Sequence, residues 1–236
     1  MIELFDLRSL GKIQIGTFIE RPNRFIGICK VNNKKVKCHI ADPGRLKELL
    51  TKDRKVFVVK NPEGYKTDYK LLALEMDREI VLLNTSIHSK IGYKAIENGV
   101  LGFIPESIKK EVQFGRSRID YLVDKNVLVE LKGCNLKIDN ICLFPDAPTE
   151  RGKRHLEELM LAVKKGYRAV ILLMILRDCR CFSPNLELDS KFSDTFIKAI
   201  SSGVQFKAFK VKIENFKVYL DKEIPLCDNV LQKLNR

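Results

Sequence analysis

SRIDYLVDKNVLVELK, residues 117–132, is the stretch that decides the fold of the C-terminal part of this 236-residue chain. Apolar and polar residues alternate on both sides of the turn at residues 124–126, which predicts two antiparallel strands joined by a short loop. If Val123 pairs with Val127 across that loop, the register of the whole hairpin is fixed.

This register brings two carboxylates together. Asp120 faces Glu130 on the neighbouring strand, and Lys132 lies on the same face as Glu130 because side chains alternate along a strand. Carboxylates about 5 Å apart repel each other unless a cation lies between them. Mg²⁺ and Mn²⁺ prefer such oxygen ligands, so we predict a divalent-metal site at Asp120 and Glu130.

The predicted site suits phosphodiester hydrolysis. A divalent metal polarises a phosphate and lowers the pKa of a bound water, while the ammonium of Lys132 positions that water or stabilises developing charge. A register slip of one residue would separate Asp120 from Glu130. An ordinary hairpin with a charged, solvent-facing surface is therefore the alternative.

Further candidates lie on neighbouring elements. Glu111 opens the preceding strand, and Glu97 lies on the helix before it; either carboxylate could complete the catalytic set. Arg151, His155 and Glu158 share one face of the following helix at i, i+4 and i+7, so this face could border the site. For His155, a half-buried helix position near the sheet edge is an equally good interpretation.

The remaining pattern predicts two domains. Residues 1–84 contain short alternating strands, the hairpin turn Asn32-Asn33 and a short helix over 46–50, which favours an OB-like barrel, with a sandwich as alternative. Residues 85–236 predict an α/β domain with a mixed sheet, in which a helix begins after its N-cap Thr149 and leads to a parallel strand. We expect residues 133–148 to form a loop.

Charge and composition narrow the function class. The net charge of +13 divides into +6 for residues 1–84 and +7 for 85–236, so a surface that attracts polyanions must be built by the fold. The most apolar stretch, residues 169–176, is far too short to cross a bilayer, which excludes a membrane protein. No signal peptide is evident, so we expect the cytoplasm. The seven cysteines form no regular framework, and we expect reduced thiols.

Five stretches carry a resemblance to a known family: RPNRFIGICKV (21–31), CHIADPGRLKELL (38–50), SRIDYLV (117–123), VELKGCNL (129–136) and FPDAPTERGKRHLEEL (144–159). In them the chain resembles the sugar fermentation stimulation protein A family, nearly end to end. The resemblance implies an N-terminal OB fold and a C-terminal domain of the PD-(D/E)XK nuclease type. It also implies DNA binding that is largely independent of sequence and linked to regulation of sugar utilisation genes.

The nuclease pattern implied by the resemblance asks for an acidic residue on an early helix, an Asp on the second strand and E-x-K on the third. Asp120, Glu130 and Lys132 match the last two requirements. Glu97 is the candidate for the first, with Glu111 as its competitor.

The N-terminal domain is then the expected nucleic-acid grip. Arg24 and Phe25 combine a cation with an aromatic ring, as a stacking-plus-phosphate surface requires, although Phe25 would also fit a barrel core. Arg45 follows a turn near the expected helix N-terminus, a favourable anion position. The full set of expected nucleic-acid contacts is Arg21, Arg24, Phe25, Arg45, Arg118, Arg151, Arg154 and His155.

Three functions fit these observations. The first is a Mg²⁺- or Mn²⁺-dependent deoxyribonuclease, favoured because opposed carboxylates would repel DNA unless a metal neutralised them. The second is a non-catalytic, sequence-independent DNA-binding regulator, and the third is an RNA-directed protein, since OB folds bind single strands of either kind. A monomer would nick one strand at a time, whereas a homodimer could cut both.

Overall fold

The computed structural model describes residues 1–234 and divides into two compact units. The first unit comprises Met1–Ile91 together with a late segment, Lys212–Leu220. The second unit comprises Gly92–Val211 and the chain from Asp221 onward.

The first unit is built on a small closed barrel. Its sheet consists of β2 (Ile13–Asn23), β3 (Ile26–Val31), β4 (Lys34–His39), β5 (Lys55–Lys60), β6 (Tyr69–Met76) and β7 (Glu79–Leu82), and it is preceded by β1 (Ile2–Asp6), which lies outside this sheet. The order is β4-β3-β2-β5-β6-β7, and a parallel pairing of β4 with β6 closes five strands into a barrel. The expected OB-like architecture is confirmed.

Local sequence explains the turns of the barrel. Asn32 and Asn33 both adopt positive φ, as a tight hairpin between β3 and β4 requires. The helix expected over residues 46–50 is wrong, because only a turn forms there, in which Leu49 and Leu50 donate to the carbonyl of Leu46. Leu46 itself has a positive φ, which does not continue into a helix.

The second unit is α/β with a mixed sheet, as expected. Its larger sheet contains, in order, β15 (Gln205–Glu214), β13 (Arg168–Ile175), β10 (Val127–Cys134), β9 (Ser117–Val123) and β8 (Ile108–Phe114). Its helices are α1 (His88–Glu97, shared with the first unit), α2 (Glu150–Lys164), α3 (Ser190–Ser201) and α4 (Asp228–Leu234). The last strand, β16 (Lys217–Glu223), begins in the late segment of the first unit, where Lys217–Leu220 pair antiparallel with β1.

Helix α2 connects β10 to β13, and these two strands are parallel, as predicted. The hydroxyl of Thr149 accepts a hydrogen bond from the Gly152 amide, so Thr149 is the N-cap. Leu156 and Leu159 are fully buried and belong to the main apolar core of the unit, where they pack with β13 and α3 residues. This packing fixes α2 against the strand that carries Glu130.

The loop expected over residues 133–148 is wrong in part. Two short strands, β11 (Leu136–Ile138) and β12 (Ile141–Phe144), form a hairpin there, and β14 (Cys181–Pro184) joins β12 in parallel. These strands have three or four residues each, too few for alternation to be visible in the sequence.

The expectation of reduced thiols is also corrected. Disulfides join Cys142 to Cys179 and Cys181 to Cys227, while Cys29, Cys38 and Cys134 are free and buried. A disulfide requires two cysteines whose Cα atoms are close in space, and in the two bridges these atoms lie 5.8 and 5.0 Å apart. Spacing in the sequence does not show this proximity. Within residues 1–234, no helix has the length and apolar content needed to cross a membrane.

Candidate metal and nuclease site

The β9–β10 hairpin has the register predicted from its loop length. Val127 pairs with Val123, Leu128 with Leu122 and Val129 with Tyr121. One residue further, the Asp120 carboxylate accepts a hydrogen bond of 2.8 Å from the backbone amide of Leu131. The Asp120 carboxylate is thus held against β10 at Leu131, the residue that follows Glu130.

Glu130 is the buried centre of the site. Its side chain is only 2% exposed, and the Lys132 Nζ atom lies 2.5 Å from its Oε1 atom. The Nδ1 atom of His155 contacts the same oxygen. Within the described residues, the other oxygen, Oε2, is buried without a hydrogen-bond partner. One carboxylate oxygen is therefore saturated with donors, and the other is unused.

The two carboxylates differ in their electrostatics. Burial, and then the negative charge of Glu130, raise the pKa of Asp120 to about 6, against the opposing hydrogen bond from Leu131. Burial also raises the pKa of Glu130, but the hydrogen bond from His155 and the charge of Lys132 outweigh it and bring the pKa below its usual value. Additional positive charge between the two groups would favour ionisation of both.

His155 lies at the centre of the site, more deeply than the half-buried position that the sequence left open. Its side chain is 3% exposed, and its Nε2 atom accepts a hydrogen bond of 3.5 Å from Nε of Arg151, one turn earlier on α2. The i, i+4 spacing identified this pair. The contact of His155 with Glu130 had no signal in the sequence, because it depends on how α2 packs against β10.

The two further carboxylates that the sequence offered lie elsewhere. Glu97 is exposed at the end of α1, where Lys94 forms an ion pair of 2.6 Å with it. Glu111 has a positive φ within β8 and a side chain 68% exposed, 3.4 Å from Arg118. The charges that act on Asp120 are those of Glu130, Lys132 and His155. The structure brings neither Glu97 nor Glu111 into that group.

The donor set fits a hard divalent cation. Within residues 1–234, no three His, Cys, Asp or Glu side chains form a ready-made metal cluster. However, Mg²⁺ commonly takes only one or two carboxylates and completes its shell with water and substrate phosphate. Asp120 and the Oε2 atom of Glu130, which has no hydrogen-bond partner among residues 1–234, could provide these two ligands, and like-charge repulsion between them favours a cation.

Helix α2 also fixes the neighbouring hairpin turn. The buried Glu158 carboxylate accepts a hydrogen bond of 2.9 Å from the backbone amide of Arg116, in the turn between β8 and β9.

Three arginines of this unit were expected to contact nucleic acid, and all three are exposed: Arg118, Arg151 and Arg154. Their side chains are accessible to a polyanion.

In the first unit, Arg21 binds backbone rather than presenting its charge to solvent. Its guanidinium donates to four carbonyl oxygens, those of Arg24, Asp42, Gly44 and Arg45. These bonds tie the β2–β3 turn to the 42–45 loop. Arg24 and Arg45 are exposed, and the Phe25 ring is 49% exposed, so it does not belong to the barrel core. Because no helix forms at 46–50, the helix N-terminus argument for Arg45 is wrong.

Two family models match the chain in succession. The SfsA N-terminal OB domain matches residues 19–83, and the Sugar fermentation stimulation protein RE domain matches residues 86–217. Together they match nearly all of residues 19–217, in both units.

Similar proteins carry the same description. A sugar fermentation stimulation protein homolog of Sulfolobus acidocaldarius is 42% identical over 88% of this chain and 87% of its own. The homolog of Methanothermobacter thermautotrophicus is 44% identical over 80% of this chain and 82% of its own. A solved structure described as Pyrococcus furiosus SfsA in complex with Ca²⁺ superposes with a TM-score of 0.86 at 27% identity, covering 96% of this chain and 100% of that one.

Proposed function

Because the chain belongs to the sugar fermentation stimulation protein family, we propose that it is a DNA-binding protein with a divalent-metal-dependent phosphodiester hydrolase site of the PD-(D/E)XK type. The observation that carries the proposal is the Glu130 carboxylate: among the described residues its Oε2 atom is buried without a hydrogen-bond partner, and the next residue on the same strand, Leu131, binds the Asp120 carboxylate. A buried carboxylate oxygen with no donor is costly unless a cation or water binds it.

Asp120 and Glu130 would hold Mg²⁺ or Mn²⁺. When bound, such a cation supplies positive charge to the scissile phosphate and promotes ionisation of the attacking water. Lys132 adds a second positive charge on the same face, where it can stabilise charge that develops on the phosphate oxygens. His155 donates to Glu130 Oε1 and so leaves Oε2 as the available ligand atom. The Ca²⁺ named for the Pyrococcus furiosus relative supports an oxygen-liganded cation in this family.

The expected partner is DNA, held without sequence specificity. The net charge of +13 favours phosphate contacts, and the first unit adds Arg24, Phe25 and Arg45 on two loops tied by Arg21. An exposed ring next to an arginine in the sequence suits stacking on an unpaired base. We place this activity in the cytoplasm, where a DNA-binding regulator of sugar utilisation genes would act.

A non-catalytic regulator remains the second candidate, and one contact favours it. Lys132 and His155 already neutralise one oxygen of Glu130 without any metal. A protein that only binds DNA could keep this arrangement as a buried ion pair.

Nicking of supercoiled plasmid DNA with Mg²⁺ or Mn²⁺ separates the two candidates. We expect the wild type to nick, and Asp120→Asn and Lys132→Ala to lose nicking while they still retard DNA in a gel. A matched control, Lys153→Gln, removes one charge from the first turns of α2 outside the site and should nick normally. If the wild type retards DNA in a gel but does not nick it, the nuclease proposal fails and the non-catalytic regulator is the supported function.

A further inference from the structure

A chain of three side chains leads from the surface of α2 to the buried carboxylate. The Arg151 guanidinium is exposed, but its Nε atom lies 3.5 Å from His155 Nε2. The ring of His155 is buried, and its Nδ1 atom contacts Glu130 Oε1. The first of these three side chains, Arg151, is exposed to solvent, and the last, Glu130, is a proposed metal ligand.

The hydrogen-bond donors next to His155 determine which ring nitrogen carries the proton. An arginine Nε–H can only donate, so Nε2 of His155 must accept, and Nδ1 then carries the proton. Nδ1–H therefore donates to Glu130 Oε1. The Lys132 Nζ atom is 3.2 Å from Nδ1 and 2.5 Å from Oε1; because ammonium also only donates, Oε1 is the acceptor that both groups share.

Two donors on Oε1 leave the other oxygen for a ligand. The Glu130 side chain is 2% exposed, so its carboxylate cannot exchange these donors freely with water. Rotation of the carboxylate would break both bonds. Groups that hydrogen-bond a metal ligand in this way commonly set its orientation and contribute 10–100-fold to metal affinity.

We propose that His155 is the positioning residue for Glu130, and that Arg151 fixes the ring tautomer in which His155 can donate. His155 acts through Glu130 and does not touch the cation. In this relay of Arg151, His155 and Glu130, both donors are held on Oε1, and Oε2 is left as the atom that can act with Asp120 as a metal ligand. This inference rests on the proposed metal-dependent function and adds to it the residues that orient its ligand.

Calcium affinity of the full chain, measured by isothermal titration calorimetry, tests the relay without any nuclease activity. We expect His155→Gln and Arg151→Gln to weaken Ca²⁺ binding roughly tenfold. His155→Asn should stay close to wild type, because an asparagine amide can donate from near the Nδ1 position, whereas a glutamine amide reaches toward Nε2. Lys153→Gln, on the same helix, is the matched control and should not change affinity.

Thermal unfolding in EDTA shows whether each variant is folded. Wild-type affinity in His155→Gln, or equal loss in His155→Asn and His155→Gln, would overturn the relay, because no donor at Nδ1 would then be required.

A metal-free measurement keeps the relay separable from the proposed function. The chain has only three histidines, His39, His88 and His155, so long-range proton–nitrogen NMR spectra can resolve each ring. We expect His155 to show the Nδ1–H tautomer in the wild type and a weaker preference in Arg151→Gln. An Nε2–H ring in the wild type would refute the relay. If the tautomer is as expected but Asp120→Asn binds Ca²⁺ as the wild type does, the proposed function fails and the relay stands.

Discussion

Glu130 stays ionised in a buried position because Lys132 and His155 lie against one of its oxygens. Removing one partner of a buried charge is costly, since the other group keeps its desolvation penalty. The sequence predicted that Lys132 and Glu130 share one face, because side chains alternate along a strand. It did not predict the His155 contact, since spacing within α2 says nothing about which strand residue the helix meets.

His88 makes stability depend on pH. Burial lowers the pKa of His88 from 6.5 to about 4, and its Nε2 atom is buried without a partner in the described residues. The unfolded chain binds the proton more readily, so stability is full above pH 6.5 and falls as pH decreases toward 4. This shift corresponds to a His88 contribution of about 3 kcal/mol, which is lost once the pH falls below 4.

Urea denaturation of the wild type and His88→Gln between pH 7 and 4 measures this effect. The variant should lose less stability than the wild type over that range. Parallel curves for the two proteins would assign the acid sensitivity to other groups.

At the scale of elements, hairpins with clear turn residues were predictable and short strands were not. The loop between Val123 and Val127 gave the correct register because its length leaves few pairings that keep the apolar face inward. By contrast, β11, β12 and β14 lie in a small sheet held partly by pairing with distant residues. Glu111 was expected near the site from strand alternation, but its positive φ breaks the alternation of β8, and the sequence gives no sign of this.

The β8–β9 turn should be sensitive to substitution at Gly115. Gly115 has a φ of +56°, and an added Cβ would lie 2.1 Å from Oε2 of the buried Glu158. We expect Gly115→Ala to destabilise the protein by about 2–4 kcal/mol, combining backbone strain with loss of the Glu158–Arg116 bond. Gly64→Ala, at a φ of +86° with open space around it, should cost only about 1 kcal/mol.

A double-mutant cycle isolates the collision. In a Glu158→Ala background, the urea-denaturation cost of Gly115→Ala should fall toward that of Gly64→Ala. An unchanged cost would mean that Glu158 does not oppose the added methyl group.

Each of the two disulfides connects segments that are distant in the sequence. Cys142–Cys179 ties β12 to the segment after β13, and Cys181–Cys227 ties β14 to the segment before α4. The sequence could not predict these pairings because connectivity depends on the fold. Alkylation of the denatured protein without reductant should label three thiols, and seven after reduction, as mass spectrometry would show. Seven labels without reductant would contradict both bridges.

At the scale of the molecule, positive charge is spread over the chain, with no basic tail. DNA affinity should therefore fall steeply with salt, because each phosphate contact releases counterions. Arg24→Gln and Arg45→Gln should each reduce the slope of log affinity against log salt by about 1. Arg8→Gln is the control, since Arg8 is paired with Asp6. Equal slopes in all four proteins, measured by fluorescence anisotropy, would place the DNA surface elsewhere.

The proposed chemistry depends on a cation that Asp120 and Glu130 bind together. An anomalous difference map from crystals grown with Mn²⁺ tests it most directly. We expect a peak bonded to the Asp120 carboxylate and to Oε2 of Glu130, with His155 still on Oε1. A map with no peak there at saturating Mn²⁺, or a peak held by other residues, would contradict it.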